Sequence, residues 1–420
     1  MKRVIVHSDI NHAYAQIEEM KDPSLRLVPM AVGGHEEDRH GIILAKNDLA
    51  KAAGVRTGES LREAFAKCPT LRIVHPHYDD YVYYTEKVKD VYRQYTDQVE
   101  SFGLDEAWID LTHSQQLFGD GVKLAERIQD EIHERYGLCV SMGVSWNKVY
   151  AKLGSDLLKH KGFALIDESN YQELVWSLPV SDLLMVGRQT SHKLERLGIY
   201  TIGDLANTPE HFLKKQFGKI GSLLWTYANG YDTSPVQENG HQEPVKSIGN
   251  SKTVKKDIRS YEQLDEVLRV LSESCAARLR REGLRGYVVS VWLRGTDLVG
   301  KGKQRRLSHP TDIAEVILET ARDLARSFAL EPVSLRGAGV NISELCFDTG
   351  LEQPDLFEDP QKRIKERRLE MTLVKIREKY GYQACRLASL QVDEELTAFD
   401  PLSVLHKIHP VGALHGPIGS

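Results

Sequence analysis

The sequence is short of several things. It has only five cysteines in 420 residues, and none lies within 35 residues of another. No C-x-x-C pair and no zinc-ligand spacing can be drawn from them, and a scattered, odd set suits a reducing cytoplasm. No run of about 18 apolar residues occurs. Only Val4-Ile5-Val6 precedes His7 near the N-terminus, too little for a signal-peptide core. A disulfide scaffold, a membrane-spanning chain and a secreted one are therefore excluded, and a soluble cytoplasmic protein is expected. An excess of one charge is missing too: 55 Lys and Arg face 60 Asp and Glu, a net charge of −5. That is not the basic footprint usual in a nucleic-acid binder. With 41% hydrophobic and 27% charged residues the composition is globular, and the length suits two to four domains.

What is there reads as mixed α and β followed by all-α and then α+β. Residues 3–7 form a buried-strand pattern ending in Ser8-Asp9, and a helix is expected around 13–20. Short strand and helix signals alternate over 28–75, and 81–99 is an amphipathic helix pattern. Then Val99-Glu100-Ser101-Phe102, Gly103-Leu104-Asp105-Glu106 and Ala107-Trp108-Ile109-Asp110-Leu111 read as strand, tight turn, strand, with two acids at the tip. A helix over 121–136, a strand over 138–144 and a helix N-capped by Asn147 follow. Residues 170–230 look all-helical, with hairpin signals near 184–198 and 213–226, and the polar stretch 233–243 reads as a linker. The order after it, strand 245–254, helix 261–282, strand 287–294, strand 303–308, helix 312–328 and strand 335–345, is a β-α-β-β-α-β, ferredoxin-like unit. Residues 347–420 read as a tail with one charged helix over 360–380.

Four features carry chemistry. Asp9 ends one strand, and Asp105 and Glu106 sit at the hairpin tip; if these strands are neighbours, three hard-oxygen donors converge as Mg²⁺ requires. Any one of these acids alone would read as a solvated strand end. Two Gly-bearing turns, Gly187-Arg188 and Gly218-Lys219, open helices whose N–H groups can face phosphate; each alone is equally a helix-packing turn. Residues 241–310 carry a local charge of +7 and leave −12 to the remainder. Their basic residues include Lys252, Arg305 and Arg306, and they suit a nucleic-acid backbone as well as a solvated face. Lastly, Gln353-Pro354-Asp355-Leu356-Phe357 offers a Leu-Phe anchor for a partner's apolar groove.

Together these residues resemble the Y-family translesion DNA polymerases, of the bacterial DNA polymerase IV type. The resemblance rests on ordered blocks: Val-His-Ser-Asp-Ile-Asn-His-Ala-Tyr-Ala (6–15), Ala-Lys-Asn-Asp-Leu-Ala-Lys-Ala-Ala-Gly-Val (45–55), Phe-Gly-Leu-Asp-Glu-Ala-Trp-Ile-Asp (102–110), Gly-Val-Ser-Trp-Asn-Lys (143–148), Ala-Lys-Leu-Gly-Ser-Asp (151–156), Gly-Ile-Tyr-Thr-Ile-Gly-Asp-Leu-Ala (198–206) and Lys-Ser-Ile-Gly-Asn-Ser (246–251). It implies an α+β multidomain, right-hand polymerase. The palm, with a ferredoxin-like sheet, would be 1–12 and 76–166, the fingers 13–75, and the helix-hairpin-helix thumb 167–232. After the 233–243 linker, the β-α-β-β-α-β little finger would be 244–346, and 347–420 the tail.

The implied activity is template-directed translesion DNA synthesis, of low fidelity and without proofreading, by two-metal addition of dNTPs to a primer 3′-end. Asp9, Asp105, Glu106 and the Ile10 carbonyl would hold two Mg²⁺ ions, which Mn²⁺ can replace. Tyr14 would be the steric gate against ribose; Asn47, Lys51 and Lys159 would bind the dNTP. Primer-template DNA would lie against Gly187, Arg188, Gly218, Lys219, Lys252, Arg294, Arg305 and Arg306. Gln353, Leu356 and Phe357 would dock on the replication sliding clamp, and the protein would act as a monomer off the membrane.

Some positions depart from the family pattern. Asp48 stands for a usual Tyr and would repel phosphates, Lys51 replaces Arg and loses bidentate geometry, Asn11 replaces Asp, Ala13 replaces an aromatic, and His160-Lys161 stands where Pro is usual. Weakened nucleotide binding is therefore expected. The rival readings are a catalytically weak, clamp-bound DNA scaffold and a nucleotidyl cyclase or metal phosphodiesterase on a related sheet.

Overall fold

The computed structural model describes residues 3–34, 41–157, 162–241, 244–330, 332–348, 360–381, 384–385 and 394–397. It divides into two compact units, Met1–Gly33 with Ile43–His241, and Gln242–Ser420 with Gly34–Ile42.

The first unit is built on a five-stranded sheet in the order Val99–Phe102, Glu106–Asp110, Ile5–Ile10, Val140–Ser145, Phe163–Leu165. The central strand Ile5–Ile10 is antiparallel to both neighbours and pairs Ile5 with Asp110, His7 with Trp108 and Asp9 with Glu106. Because side chains alternate across a strand, Val6 and Ile10 enter one core while Ile5, His7 and Asp9 point to the other face. The first core is closed by the helices Ala13–Lys21, Tyr78–Arg93 and Gly121–Tyr136 through Ile17, Tyr81, Val88, Leu124 and Ile128. The pattern over 81–99 is thus a helix that begins at Tyr78 and stops at Arg93; Thr96 accepts a hydrogen bond from the Gln98 N–H, and the chain turns there into the next strand.

The opposite face carries the helix Lys148–Leu157, whose start Asn147 caps through its Oδ1 on the Tyr150 N–H at 2.8 Å. This helix lies on Gly143 of the sheet. A Cβ there would stand 2.0 Å from the Ala151 carbonyl oxygen and 2.4 Å from the Ser155 nitrogen, so backbone meets backbone. The far side of the same helix, with Val149, Tyr150 and Leu153, joins the core of a helical block over residues 171–228, where Leu194, Ile202, Leu213 and Leu224 are buried. A separate three-stranded sheet, in the order Ile43–Lys46, Met30–Gly33, Arg72–Val74, has its own small core with the helices Asp48–Ala52 and Leu61–Lys67.

The stretch 233–243 is corrected from a linker to a docked segment over much of its length. Val236 is buried against Ile5, Trp108 and Ala151, the Gln237 N–H donates to Glu100 at 2.9 Å, and the Asn239 N–H donates to the Asp97 carbonyl at 2.7 Å. Polar composition hid this, because one apolar side chain, Val236, and two backbone N–H groups hold the segment.

The second unit has the expected β-α-β-β-α-β order. Its antiparallel sheet runs Gly300–Thr311, Leu284–Gly295, Leu335–Phe347, Ser247–Ile258, and the helices Tyr261–Arg281 and Ala314–Arg326 cover one face. The unit does not end at 346. The helix Pro360–Tyr380 docks on it: Glu370 accepts from the Ala314 N–H at 2.9 Å and from Arg280 at 2.6 Å, Arg367 pairs with Asp312 at 3.0 Å, and Arg377 pairs with Glu273 at 2.9 Å. Leu396, in the short helix Glu394–Thr397, enters the same core. The charged helix read as a tail is therefore a third layer, built on ion pairs rather than on an apolar stripe. No helix among the described residues is long and apolar enough to cross a membrane.

Substituting Gly143→Ala should destabilise the first unit by about 3 kcal/mol, because the colliding atoms are backbone and cannot rotate away. The fall in the denaturant midpoint of the purified variant measures it.

Candidate active site

The acid-bearing hairpin forms because two alternating strands, Val99–Phe102 and Glu106–Asp110, are joined by a turn in which Gly103 takes a positive φ of 82°. Its second strand pairs with Ile5–Ile10, which sets Asp9 directly opposite Glu106, and the Ile10 N–H donates to the Asp105 carbonyl at 3.1 Å. Asp9, Ile10, Asp105 and Glu106 thus lie at one end of the sheet.

Their electrostatics differ. Burial, helped by the neighbouring Glu106 charge, raises the Asp105 carboxyl above the ordinary carboxylate range. Burial would do the same to Glu106, but His7 and Lys152 together outweigh it and bring that carboxyl down to about 2. His7 is fully buried; its Nε2 lies 3.2 Å from Glu106 Oε2, and its Nδ1 lies 2.7 Å from the Ser155 hydroxyl, which donates to the Lys152 carbonyl at 2.8 Å. Lys152 Nζ donates to the same Glu106 oxygen at 2.6 Å. On the other side of the hairpin the buried Lys89 donates to the Gly103 carbonyl at 3.3 Å. Burial lowers its pKa, and its charge offsets that of Asp105.

The donor set is hard oxygen at a sheet end, which suits a divalent cation. Asp9 and Asp105 fit that role with the backbone around them. Glu106 fits it by chemistry and is paired with His7 and Lys152; among the described residues no three His, Cys, Asp or Glu side chains are gathered as a ready metal site. His7, Lys89 and Lys152 were not singled out by the sequence reading. The one signal for Lys152 is its spacing of four from Lys148 after a helix cap, which puts both on one helical face.

Tyr14 stands near this cluster in the first turn of the helix Ala13–Lys21. Its ring stacks on the buried Tyr81 ring at 4.2 Å between centroids and meets Tyr78 edge-on at 6.1 Å. Burial, with Asp105 nearby, pushes its phenol up to about 12. Lys51 is exposed on the short helix Asp48–Ala52.

Asn47, expected to touch nucleotide, is corrected to a structural residue. It is 2% exposed; its Oδ1 accepts from the Met30 and Ala50 N–H groups at 3.0 Å each, and its Nδ2 donates to the Leu25 and Val28 carbonyls at 3.2 and 2.9 Å. All the bonds a side-chain amide can make are spent. Lys159, Gln353, Leu356 and Phe357 lie outside the described residues.

In the helical block, Gly187-Arg188 and Gly218-Lys219 are exposed and open the helices Arg188–Arg196 and Lys219–Ala228. Lys193, near the end of the first of these helices, bonds the Gln216 carbonyl and stands 4.4 Å over the Phe217 ring, just ahead of the second turn.

In the second unit the basic residues divide by strand parity. Arg294 and Arg306 share the helix-free face with the exposed Trp292, and Arg306 pairs with Glu344 and covers the Tyr287 ring. Arg305 instead points to the helix side, where it pairs with Asp323 at 3.0 Å, and Lys252 sits opposite the core residue Ala338 on that same side.

Comparison with known proteins bears on the family and the fold. Models of the impB/mucB/samB family and of its C-terminal domain match residues 8–156 and 245–356, and that of the DNA polymerase-iota thumb domain matches 181–232. The chain is 43% identical over 396 residues to a DNA polymerase IV of Acetivibrio thermocellus, covering 94% of this chain and 99% of the relative. It is 35% identical over 397 residues to DNA polymerase IV 2 of Bacillus subtilis, covering 93% and 95%. Among solved structures, a chimera of the Y-family DNA polymerases Dbh and Dpo4 superposes with a TM-score of 0.72 at 22% identity, over 82% of this chain and 99% of that one. At that identity the likeness is one of fold.

Replacing Asn47→Ala removes a helix cap and leaves three buried backbone groups unpaired. It should cost about 3 kcal/mol of stability while changing nucleotide affinity less than about twofold, since no side-chain donor or acceptor is left over. Thermal melting and nucleotide titration of the one variant separate the two effects.

Proposed function

The chain belongs to the Y-family DNA polymerases, and on that premise we propose how its residues divide the work of translesion DNA synthesis. It is a DNA-directed DNA polymerase, and its relatives carry the name DNA polymerase IV. The observation that carries the residue assignment is the strand register that puts Asp9 opposite Glu106 with Asp105 at the adjoining turn.

The sheet and hairpin act as the palm, the small three-stranded unit with Ala13–Lys21 as the fingers, the helical block as the thumb, and the second unit as the little finger. Divalent ions are required by this family; Mg²⁺ is the expected species, and Asp9, Asp105, Glu106 and the Ile10 carbonyl would hold it. When bound, such ions activate the attacking oxygen and neutralise the charge of the transferring phosphate. The protein's own part is positioning. Asp9 and Asp105 present negative charge at the sheet end, and Lys51, with Lys159, supplies cations for the triphosphate.

Tyr14 selects the sugar. A 2′-hydroxyl against its ring could be accommodated only if the ring moved, and Tyr81, fully buried and stacked behind it, prevents that. The exposed turns at Gly187 and Gly218 present N–H groups to a phosphodiester backbone, and Arg294 and Arg306 do so from the open sheet face. Arg305 and Lys252, held on the helix side, contribute long-range field. Gln353–Phe357 docks on the sliding clamp, and its place just ahead of a helix anchored to the second unit supports a tethered motif. The protein works in the cytoplasm as a monomer.

Primer extension with Mg²⁺ or Mn²⁺ tests the reading: the wild type should extend, and Asp105→Ala should be slower by about a thousandfold, the loss of several kcal/mol of charge stabilisation. Equal, null results from both, with primer-template still bound in a salt-dependent way, would favour the scaffold reading. Tyr14→Ala should retain extension and lose on the order of a hundredfold in discrimination against ribonucleotides, measured as the ratio of incorporation efficiencies.

A further inference from the structure

The helix Lys148–Leu157 sends two lysines, one turn apart, onto the acid-bearing hairpin. Lys148 Nζ bonds both oxygens of Glu100 at 2.6 and 2.7 Å and stands 4.5 Å over the Trp108 ring. Lys152 Nζ bonds Glu106 at 2.6 Å, stands 5.3 Å over the Phe102 ring and lies 3.9 Å from Asp156. Both ammonium stems are mostly buried, with 13% and 17% of the side chain exposed. The helix that carries them cannot slide, since its backbone rests on Gly143. The reach of Lys152 is thus set by the fold, and the carboxylate it takes, Glu106, is the one paired across the strands with Asp9.

We propose that Lys152 is a positioning residue that parks Glu106, so that a divalent cation entering at Asp9 and Asp105 must displace the Lys152–Glu106 ion pair to recruit the third carboxylate. The inference rests on the polymerase reading of that site. It makes the lysine a competitor of the metal in the resting enzyme. The displaced ammonium keeps a second acid, Asp156, one turn along its own helix. Lys148 performs no such competition, because Glu100 is also held by the Gln237 N–H and lies outside the acid cluster.

The test is Mn²⁺ binding to the full chain without DNA or nucleotide, followed by electron paramagnetic resonance. Lys152→Met should bind Mn²⁺ about tenfold more tightly than the wild type, the effect of removing a competing pair. Lys148→Met, which deletes the same charge one turn away, should stay within about twofold, as should Lys152→Arg, which restores the pair. Lys152→Gln is expected to tighten binding as Met does and serves if the Met variant fails to fold. Unchanged or weaker binding by both Lys152 variants, or equal tightening by Lys148→Met, overturns the proposal. Asp105→Ala distinguishes the two levels: it should weaken Mn²⁺ binding, and if it does not, the ion sits elsewhere and the metal-site reading falls together with this one.

Discussion

The approach of the helix Lys148–Leu157 to within backbone contact of Gly143 is the constraint on which the rest of the site depends. Gly154 answers Gly143 from the helix side: a Cβ there would lie 3.0 Å from the Gly143 Cα. Two missing side chains bring the helix low enough for Ser155 to reach His7 and for Lys148 and Lys152 to reach the hairpin. With ordinary side chains at both positions the helix would ride higher by roughly the thickness of a methyl group, and these hydrogen bonds would open. The same helix belongs to the core of the helical block, where the Tyr150 hydroxyl donates to the Ala228 carbonyl at 2.9 Å and Asn147 Nδ2 donates to the Gly230 carbonyl at 3.2 Å. One element therefore links the acid-bearing sheet to the core of the helical block.

Buried charge follows a consistent logic in both units. A carboxylate removed from water needs a close, well-directed partner, and losing that partner costs more than the pair contributes. In the first unit Glu106 has Lys152 and Asp105 has Lys89 nearby, so the acids at the sheet end are offset by ammonium groups. In the second unit Asp312 is 2% exposed and is met by Arg367, while Glu370 caps the N-terminus of Ala314–Arg326 and meets Arg280. Here the pairs build structure and fasten the helix Pro360–Tyr380 to the sheet unit. The chain's net charge of −5 says nothing of either arrangement, because each depends on which acid meets which base.

Legibility in the sequence tracked locality. The hairpin could be read because its turn and both strands are contiguous, and the β-α-β-β-α-β order could be read from successive periodicities. The face of a strand could not: Arg305 and Arg306 look equivalent in sequence, yet one pairs with Asp323 on the helix side and the other covers Tyr287 on the open side. The register that decides it, Val288 opposite Arg306 and Val289 opposite Arg305, is set by pairing across the edge hairpin and not by the residues themselves. The 233–243 stretch misled because its anchoring uses backbone N–H groups, which every sequence has. Asn47 misled for the opposite reason. An Asn just before a short helical run is a cap signal in its own right, and the family resemblance drew the eye to nucleotide instead.

The same short helix bears on the acid at position 48. Asp48 occupies the first turn of Asp48–Ala52, directly after the Asn47 cap, where a negative charge meets the partial positive end of the helix and stabilises it. Only five residues long, this helix has little packing of its own, with Ala50 as its one buried side chain, so its cap and first-turn charge matter more than in a longer one. Lys51 stands in its last turn, the favourable end for a cation, and projects its charge from a helix that the acid helps to hold. Asp48 therefore works against a triphosphate by direct repulsion and for it by steadying the carrier of Lys51. Screening decides between the two: both residues are exposed, so the repulsion fades with distance and salt, while the helix-end interaction acts at contact range. That difference in range is the physical reason an acid can occupy this position.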